Sequence, residues 1–415
     1  MTNRVHVVGA GLAGLQAALA LSKAGRPVTL YESSPVAGGR CRSYFDRSLD
    51  CRIDNGNHLL LSGNKAAAAY LDSIGTRDSL AGPAKAHFPF FDIQTGQRWT
   101  IRLNQGRIPW WIFRRTSRVP GTRLADYARL RNMLHPPANA TLAAVTGTGP
   151  LIRRLIAPLA IASLNTQTDQ ASAALFAAVI SESLMQGGRN CIPAFPKTGL
   201  SESFIDPAIN ILRAQGSNIL FNRRISALHI EADRVASLGT PDGPIPIRPL
   251  EQVILAVPPW IAADLLPNLT APNEYEAILN IHFRHSAPAT PAGFIGLIGG
   301  TAEWVFIKPD IVSVTISAAN RLADITPESL VATIWPEVSA ACRIAAPTLP
   351  PWRVVRERRA TFAATPAQQL RRPGPRTPLV NLALAGDWTA TGLPATIEGA
   401  IRSGRTAADM LLKIC

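Results

Sequence analysis

Three glycines and one glutamate carry the plainest chemistry in the sequence. Gly9, Gly11 and Gly14 have Gly-x-Gly-x-x-Gly spacing, and Glu32 follows 18 residues after the last of them. Gly9 permits a tight turn, Gly11 lets the backbone approach a pyrophosphate, and Gly14 lets a helix pack close to a strand. A helix N-terminus at this point offers N–H groups and a positive dipole end to phosphates, with Leu12 and Ala13 at the same place. Glu32, with Ser33 beside it, can accept hydrogen bonds from a ribose diol. A carboxylate there disfavours a 2′-phosphate, so FAD or NAD is expected rather than NADP.

The elements that must position these residues are also legible. Arg4–Val8 reads as a short strand, Leu15–Ala24 as a small-residue helix stopped by Gly25, and Val28–Tyr31 as a second strand. Ile219–Ala227 and Arg234–Leu238 alternate like strands, and Glu251–Val257 is an apolar strand. Leu382–Ala385 is another, running into Gly386-Asp387-Trp388. A helix then opens around Pro394, Ala395, Thr396 and Ile397 and continues through Gly404.

Gly38-Gly39-Arg40 follows the acid directly. This doublet resembles the extended FAD fingerprint of the flavin amine oxidase and carotenoid desaturase superfamily. The resemblance implies that the glycines and Arg40 lie near the pyrophosphate and flavin. It implies that Gly386-Asp387 meets the ribityl and phosphate end, and that the helix opening at Ile397 meets the pyrimidine end. It also implies that a residue such as Ile225 contacts adenine through its backbone. The expected fold class is α/β, with a discontinuous Rossmann-like FAD-binding domain and an inserted mixed α+β substrate domain. The FAD-binding domain would take residues 1–75, 190–260 and 365–415, and the substrate domain residues 76–189 and 261–364.

The resemblance narrows at Asp54-Asn55-Gly56-Asn57-His58-Leu59-Leu60, at Leu164-Asn165-Thr166 and at Thr391-Gly392-Leu393-Pro394-Ala395-Thr396-Ile397-Glu398-Gly399. The chain is similar there to the squalene-associated FAD-dependent desaturases of bacterial hopanoid pathways, which act as hydroxysqualene dehydroxylases. That family usually has glutamine where Asn57 stands. The implied reaction replaces an allylic hydroxyl of a C30 isoprenoid alcohol with hydrogen, using reduced FAD. Gly56, Asn57 and His58 would then lie near the flavin. His58 is the first candidate for the proton donor, because an imidazole titrates near working pH. Asp54 is the second, and an ordered water could also serve; His282 and His285 are weaker candidates. His58 could instead only hydrogen-bond the cofactor or backbone, and Asp54 could be a turn residue. Three other readings stay open: a carotenoid-type desaturase, an amine oxidase, and a prenyl-chain escort on a degenerate FAD fold. The six lysines fall in no amine-oxidase motif.

Composition bounds these readings. The 415 residues are 47% hydrophobic and 17% charged, enough apolar surface for about two domains. The longest apolar runs, Ala173–Ile180 and Phe294–Ile298, are far shorter than the ~18 residues of a membrane span. The start carries strand and glycines rather than a signal-peptide pattern, so a cytoplasmic protein is expected. Cys41, Cys51, Cys191, Cys342 and Cys415 fit no metal or redox spacing, so reduced thiols and no metal are expected.

The net charge is +14. Eight arginines and one acid between Arg102 and Arg131 give +7, and seven arginines and one acid between Arg353 and Arg376 give +6. The first stretch also holds Trp110, Trp111 and Phe113. Basic residues beside exposed aromatics suit an anionic membrane surface. No nucleic-acid signature accompanies them, and a solvated arginine surface over buried tryptophans is the plain alternative. A C30 hydrocarbon gains ~20 kcal/mol on leaving water, so the implied substrate would be collected from lipid. The expectation is therefore peripheral contact with the inner face of the cytoplasmic membrane, together with transient contact with an upstream synthase.

Overall fold

The computed structural model describes residues 3–288, 290–345 and 348–413. Cys415 lies outside the described residues, and the other four cysteines are unpaired thiols.

One sheet has five parallel strands, in the order Asn218–Leu220, Val28–Tyr31, Val5–Val8, Gln252–Leu255 and Leu382–Leu384. The central strands are buried throughout, as a parallel sheet covered by helices requires. The helix Leu12–Lys23 joins the first two strands of the chain. It starts three residues before the predicted Leu15, because Gly11 accepts from the Leu15 N–H and Leu12, Ala13 and Gly14 become a buried first turn. Gly25, at φ +77°, ends it as expected. The helix Ile397–Leu412 crosses it so closely that a Cβ on Gly404 would lie 2.1 Å from the Ala13 carbonyl oxygen.

The strand expected over Ile219–Ala227 is split. Asn222 takes φ 53°, and the chain turns back so that Asn222 N and Arg223 N donate to the Ser34 and Glu32 carbonyls. Pairing resumes at Ala227–Glu231, in a separate three-stranded antiparallel sheet with Arg234–Thr240 and Gly243–Pro246.

The other large sheet has seven strands, in the order Trp352–Phe362, Tyr275–Arg284, Ile311–Ile316, Trp304–Lys308, Phe294–Ile298, His87–Asp92 and Arg98–Arg102. Its two faces differ. Leu279, Ile281, Phe283, Val312, Val314 and Ile316 pack against the helix Pro327–Cys342 through Leu330, Ile334 and Trp335. Alternate residues of the same strands, Asn280, His282, Ser313 and Thr315, are buried polar groups on the opposite face. That polar face meets residues 54–57. Short helices between 124 and 182 complete the largest core cluster through Leu142, Leu155 and Phe176.

Candidate active site

The three motif glycines are not equivalent. A Cβ on Gly9 would lie 2.4 Å from the Ala256 carbonyl oxygen, and one on Gly14 would lie 1.9 Å from the Gly9 carbonyl oxygen. Both serve close packing. A Cβ on Gly11 would meet nothing within 4 Å, and one on Gly39 only the Gly11 Cα at 3.8 Å. Gly38 N donates to the Ala10 carbonyl at 2.8 Å, which lays the glycine doublet beside the loop. Gly11 and Gly39 thus border one open strip of backbone at the start of a helix that no side chain caps. That is the shape a pyrophosphate needs.

Glu32 closes the strip. Its Oε2 accepts from Ala10 N at 2.9 Å, and its Oε1 accepts from Ser34 N at 2.8 Å and Ser33 Oγ at 3.3 Å. Ile225 is buried in the strap that follows the Arg223–Glu32 backbone bond.

At the other end, Arg40 Nη2 donates to both carboxylate oxygens of Asp387, at 2.8 and 2.7 Å. Arg40 Nη1 also donates to the Ala360 carbonyl. Gly386 N donates to Ser403 Oγ at 2.8 Å, and Trp388 Nε1 donates to the Val257 carbonyl at 2.9 Å. Pro394 and Ala395 lead to Thr396, whose hydroxyl caps the helix starting at Ile397 by accepting from Gly399 N at 3.0 Å. Glu398 is buried and accepts from Ala66 N and Ala67 N, so it caps the neighbouring helix Lys65–Ser73.

Arg372 was not singled out by sequence reasoning. It is buried over the Phe362 ring at 4.8 Å, and it donates to the carbonyls of Asp387, Trp388 and Thr389. Burial lowers its pKa to about 10, with Asp387 opposing the shift. One side chain therefore pins three successive carbonyls of the Asp387 turn.

Residues 54–58 lie against the seven-stranded sheet. Asp54 Oδ1 accepts from Ser43 Oγ at 2.6 Å and Leu200 N at 2.8 Å; Oδ2 accepts from Lys308 Nζ at 2.9 Å. The carboxylate thus ties its own segment to Ser43, Leu200 and Lys308. Asn57 Nδ2 donates to Thr315 Oγ1 at 3.0 Å, and Thr315 Oγ1 donates to Asn280 Oδ1 at 2.7 Å. A Cβ on Gly56 would lie 3.0 Å from Asn280 Nδ2, so the backbone there rests on that amide.

His58 is half-buried, and its imidazole has no hydrogen-bond partner among the described residues. Burial pulls its pKa down to about 4; Asp54 pulls it up and Arg40 pushes it down. The expectation of an imidazole titrating near neutral pH is corrected here: His58 is uncharged at pH 7. His282 is also neutral, lowered to about 4 chiefly by burial, and its Nδ1 pairs with Ser313 Oγ at 2.7 Å. His285 stacks edge-on against Trp335 at 5.4 Å.

The two arginine-rich stretches part company. In the second, Arg353 pairs with Asp46, Arg356 donates to backbone carbonyls, Arg359 covers Trp260 and Arg372 is interior. It is structural rather than a single patch. In the first, Trp111 packs edge-on against Tyr127 at 5.5 Å, whereas Trp110 is 62% and Phe113 56% exposed.

The family described as flavin containing amine oxidoreductase matches residues 12–292 and 298–412. Hydroxysqualene dehydroxylase of Sinorhizobium fredii is 47% identical over 99% of both chains, and that of Rhodopseudomonas palustris is 48% identical over 99% of both. An oxidoreductase structure from Methanosarcina mazei superposes with a TM-score of 0.73 at 16% identity, covering 98% of this chain and 100% of that one. The open glycine strip and the Arg40–Asp387 end fit the cofactor this family uses. The chain belongs to the flavin-containing amine oxidoreductases and is an FAD-dependent oxidoreductase of the α/β fold that its motifs predict.

Proposed function

We propose that the chain replaces the allylic hydroxyl of hydroxysqualene with hydrogen, giving squalene. The observation that carries this reading is full-length identity of 47% and 48% to proteins named hydroxysqualene dehydroxylase. In the balanced step the C–O bond breaks, the oxygen takes up one proton and leaves as water, and a C–H bond forms. Reduced FAD, when bound, supplies the hydride.

The chain's own residues do the remaining work. Gly11, Leu12, Ala13 and Gly39 cradle the pyrophosphate on a loop that Gly9, Gly14 and Gly38 allow to pack closely, Arg40 holds Asp387 at the flavin end, and Glu32 with Ser33 takes the ribose. Ile225 borders the adenine, and Gly386, Asp387, Pro394, Ala395, Thr396 and Ile397 hold the flavin end. Gly56 and Asn57 are set in place by Asn280 and Thr315. Asp54 positions this segment. His58, neutral at working pH, offers an N–H to the departing oxygen and orients the water that brings the proton in.

The FAD-binding part comprises residues 1–75, 190–260 and 365–415, and the substrate part residues 76–189 and 261–364. This division is supported by the two large sheets, each drawn wholly from one part. No helix among the described residues is long and apolar enough to cross a membrane. Trp110, Phe113 and Ile108 stand exposed between Arg107 and Arg114. They dock the protein on the inner face of the cytoplasmic membrane, where the substrate is dissolved.

Anaerobic single turnover tests the reaction. Prereduced holoprotein mixed with hydroxysqualene is expected to regain the oxidised flavin spectrum and yield one equivalent of squalene. An unchanged spectrum with no squalene overturns the reading. Bleaching of oxidised protein by a hydrocarbon substrate assigns it to desaturation instead.

A further inference from the structure

A second feature lies away from the flavin motifs. A groove of about 1260 Å³ runs along the outer edge of the seven-stranded sheet, beside the edge strand Arg98–Arg102. Six arginines line it, from three separate parts of the chain: Arg98 and Arg102 on the strand, Arg115, Arg118 and Arg123 on the facing turn, and Arg343 just after the helix Pro327–Cys342. His87 also lines it, and no aspartate or glutamate does.

Some arginines elsewhere are neutralised. Arg40, Arg52, Arg154, Arg223, Arg321, Arg353, Arg402 and Arg405 all form carboxylate pairs. None of the six groove arginines does so among the described residues. Burial lowers the Arg98 pKa, and the neighbouring Arg343 charge lowers it further.

The groove is also preorganised. Arg98 stacks on Phe91 at 4.2 Å and donates to the Ala340 carbonyl at 2.6 Å. Arg118 donates to the carbonyls of Ile112 and Phe113. The indole N–H of Trp99, another lining residue, is buried without a partner among the described residues. Edge strands often carry basic residues that block aggregation. That accounts for Arg98 and Arg102, but not for arginines converging on them from a turn and a helix end.

We propose that this groove is a phosphate-recognition site, taking the phosphate or diphosphate group of an anionic ligand. Guanidinium forks match phosphate oxygens in pairs, and several in one concavity favour a polyanion over a single charge. The site is independent of the dehydroxylation reading, since no flavin-motif residue lines it.

The test uses the holoprotein in low salt, with inorganic diphosphate followed by calorimetry and with vesicles of phosphatidylglycerol or phosphatidylcholine followed by co-sedimentation. Diphosphate or phosphatidylglycerol is expected to bind in a salt-sensitive way, and R98Q/R343Q to weaken that binding at least tenfold with flavin content unchanged. Preference for diphosphate in solution assigns a soluble phosphate ester, and preference for phosphatidylglycerol over phosphatidylcholine assigns a lipid headgroup. Should R98Q/R343Q lose flavin, R115Q/R123Q serves in its place. Binding of neither probe, or equal binding by wild type and variant, overturns the site. Squalene formation is scored separately, so either proposal can fail alone.

Discussion

Arg40 and Asp387 stand 347 residues apart in sequence, yet one guanidinium nitrogen reaches both oxygens of the carboxylate, at 2.8 and 2.7 Å. The pair joins the loop after the second strand to the turn after the last, at the end of the site that our proposal gives to the flavin. Asp387→Ala leaves the guanidinium with only a carbonyl partner. The expected loss is about 1.5–3 kcal/mol of stability, with most of the bound FAD. Urea denaturation and the absorbance of the purified protein measure both.

Gly11 and Gly14 predict opposite phenotypes. Gly14→Ala would press a methyl into the Gly9 carbonyl, where a Cβ would lie at 1.9 Å. It is expected to impair folding itself, read as loss of a cooperative thermal transition. Gly11→Ala has open space. Its apoprotein is expected to melt within a few degrees of wild type and fail to take up FAD in a titration.

His58 sets a pH signature. Its folded pKa of about 4 lies below the ordinary 6.5, so the unfolded chain binds more protons between those values. Stability therefore falls as pH drops through that window and is flat above it. His282 behaves in the same way. His282→Gln should flatten the slope of unfolding free energy against pH between about 4 and 6.5, measured by urea titration at stepped pH. His58→Gln should retain flavin and lower single-turnover rates roughly 10²–10⁴-fold. The acid limb of the wild-type rate profile should have its midpoint near 4 and not near 6.5.

Arg372 is expected to be irreplaceable by lysine. The substitution Arg372→Lys keeps the charge, but a single ammonium cannot span the carbonyls of Asp387, Trp388 and Thr389. The variant should bind FAD more weakly and show a shifted flavin reduction potential, and added guanidinium should partly restore both. An unchanged potential would reduce Arg372 to a packing role.

Trp110 and Phe113 are exposed, with ring centroids 5.8 Å apart. Trp110→Ala with Phe113→Ser should leave the melting temperature within a degree or two and lower partitioning onto anionic vesicles. Trp111→Ala should instead cost about 1–2 kcal/mol, since that partly buried ring packs on Tyr127.

The parts of the site legible in the sequence are those that constrain backbone. Gly9, Gly14, Gly38 and Gly386 occupy turns or close approaches that only glycine tolerates, so they fall at fixed spacings. The layer behind Asn57 left a weaker trace. Asn280 pairs in register with Thr315, and His282 with Ser313, between apolar residues of the same two strands. Polar residues alternating through such strands were a usable signal, but only cross-strand pairing shows that they form one face. Arg372 was hidden among other arginines, because nothing local distinguishes an interior guanidinium from a solvated one. Trp110 and Trp111 differ only through the single turn Trp110–Phe113, which aims one outward and one inward.

The parallel sheet is assembled from strands as distant as Val5–Val8 and Leu382–Leu384. During synthesis Asp387 is made 347 residues after Arg40. The Arg40–Asp387 end of the site therefore cannot close until the strand Leu382–Leu384 has joined a sheet whose other strands were made long before.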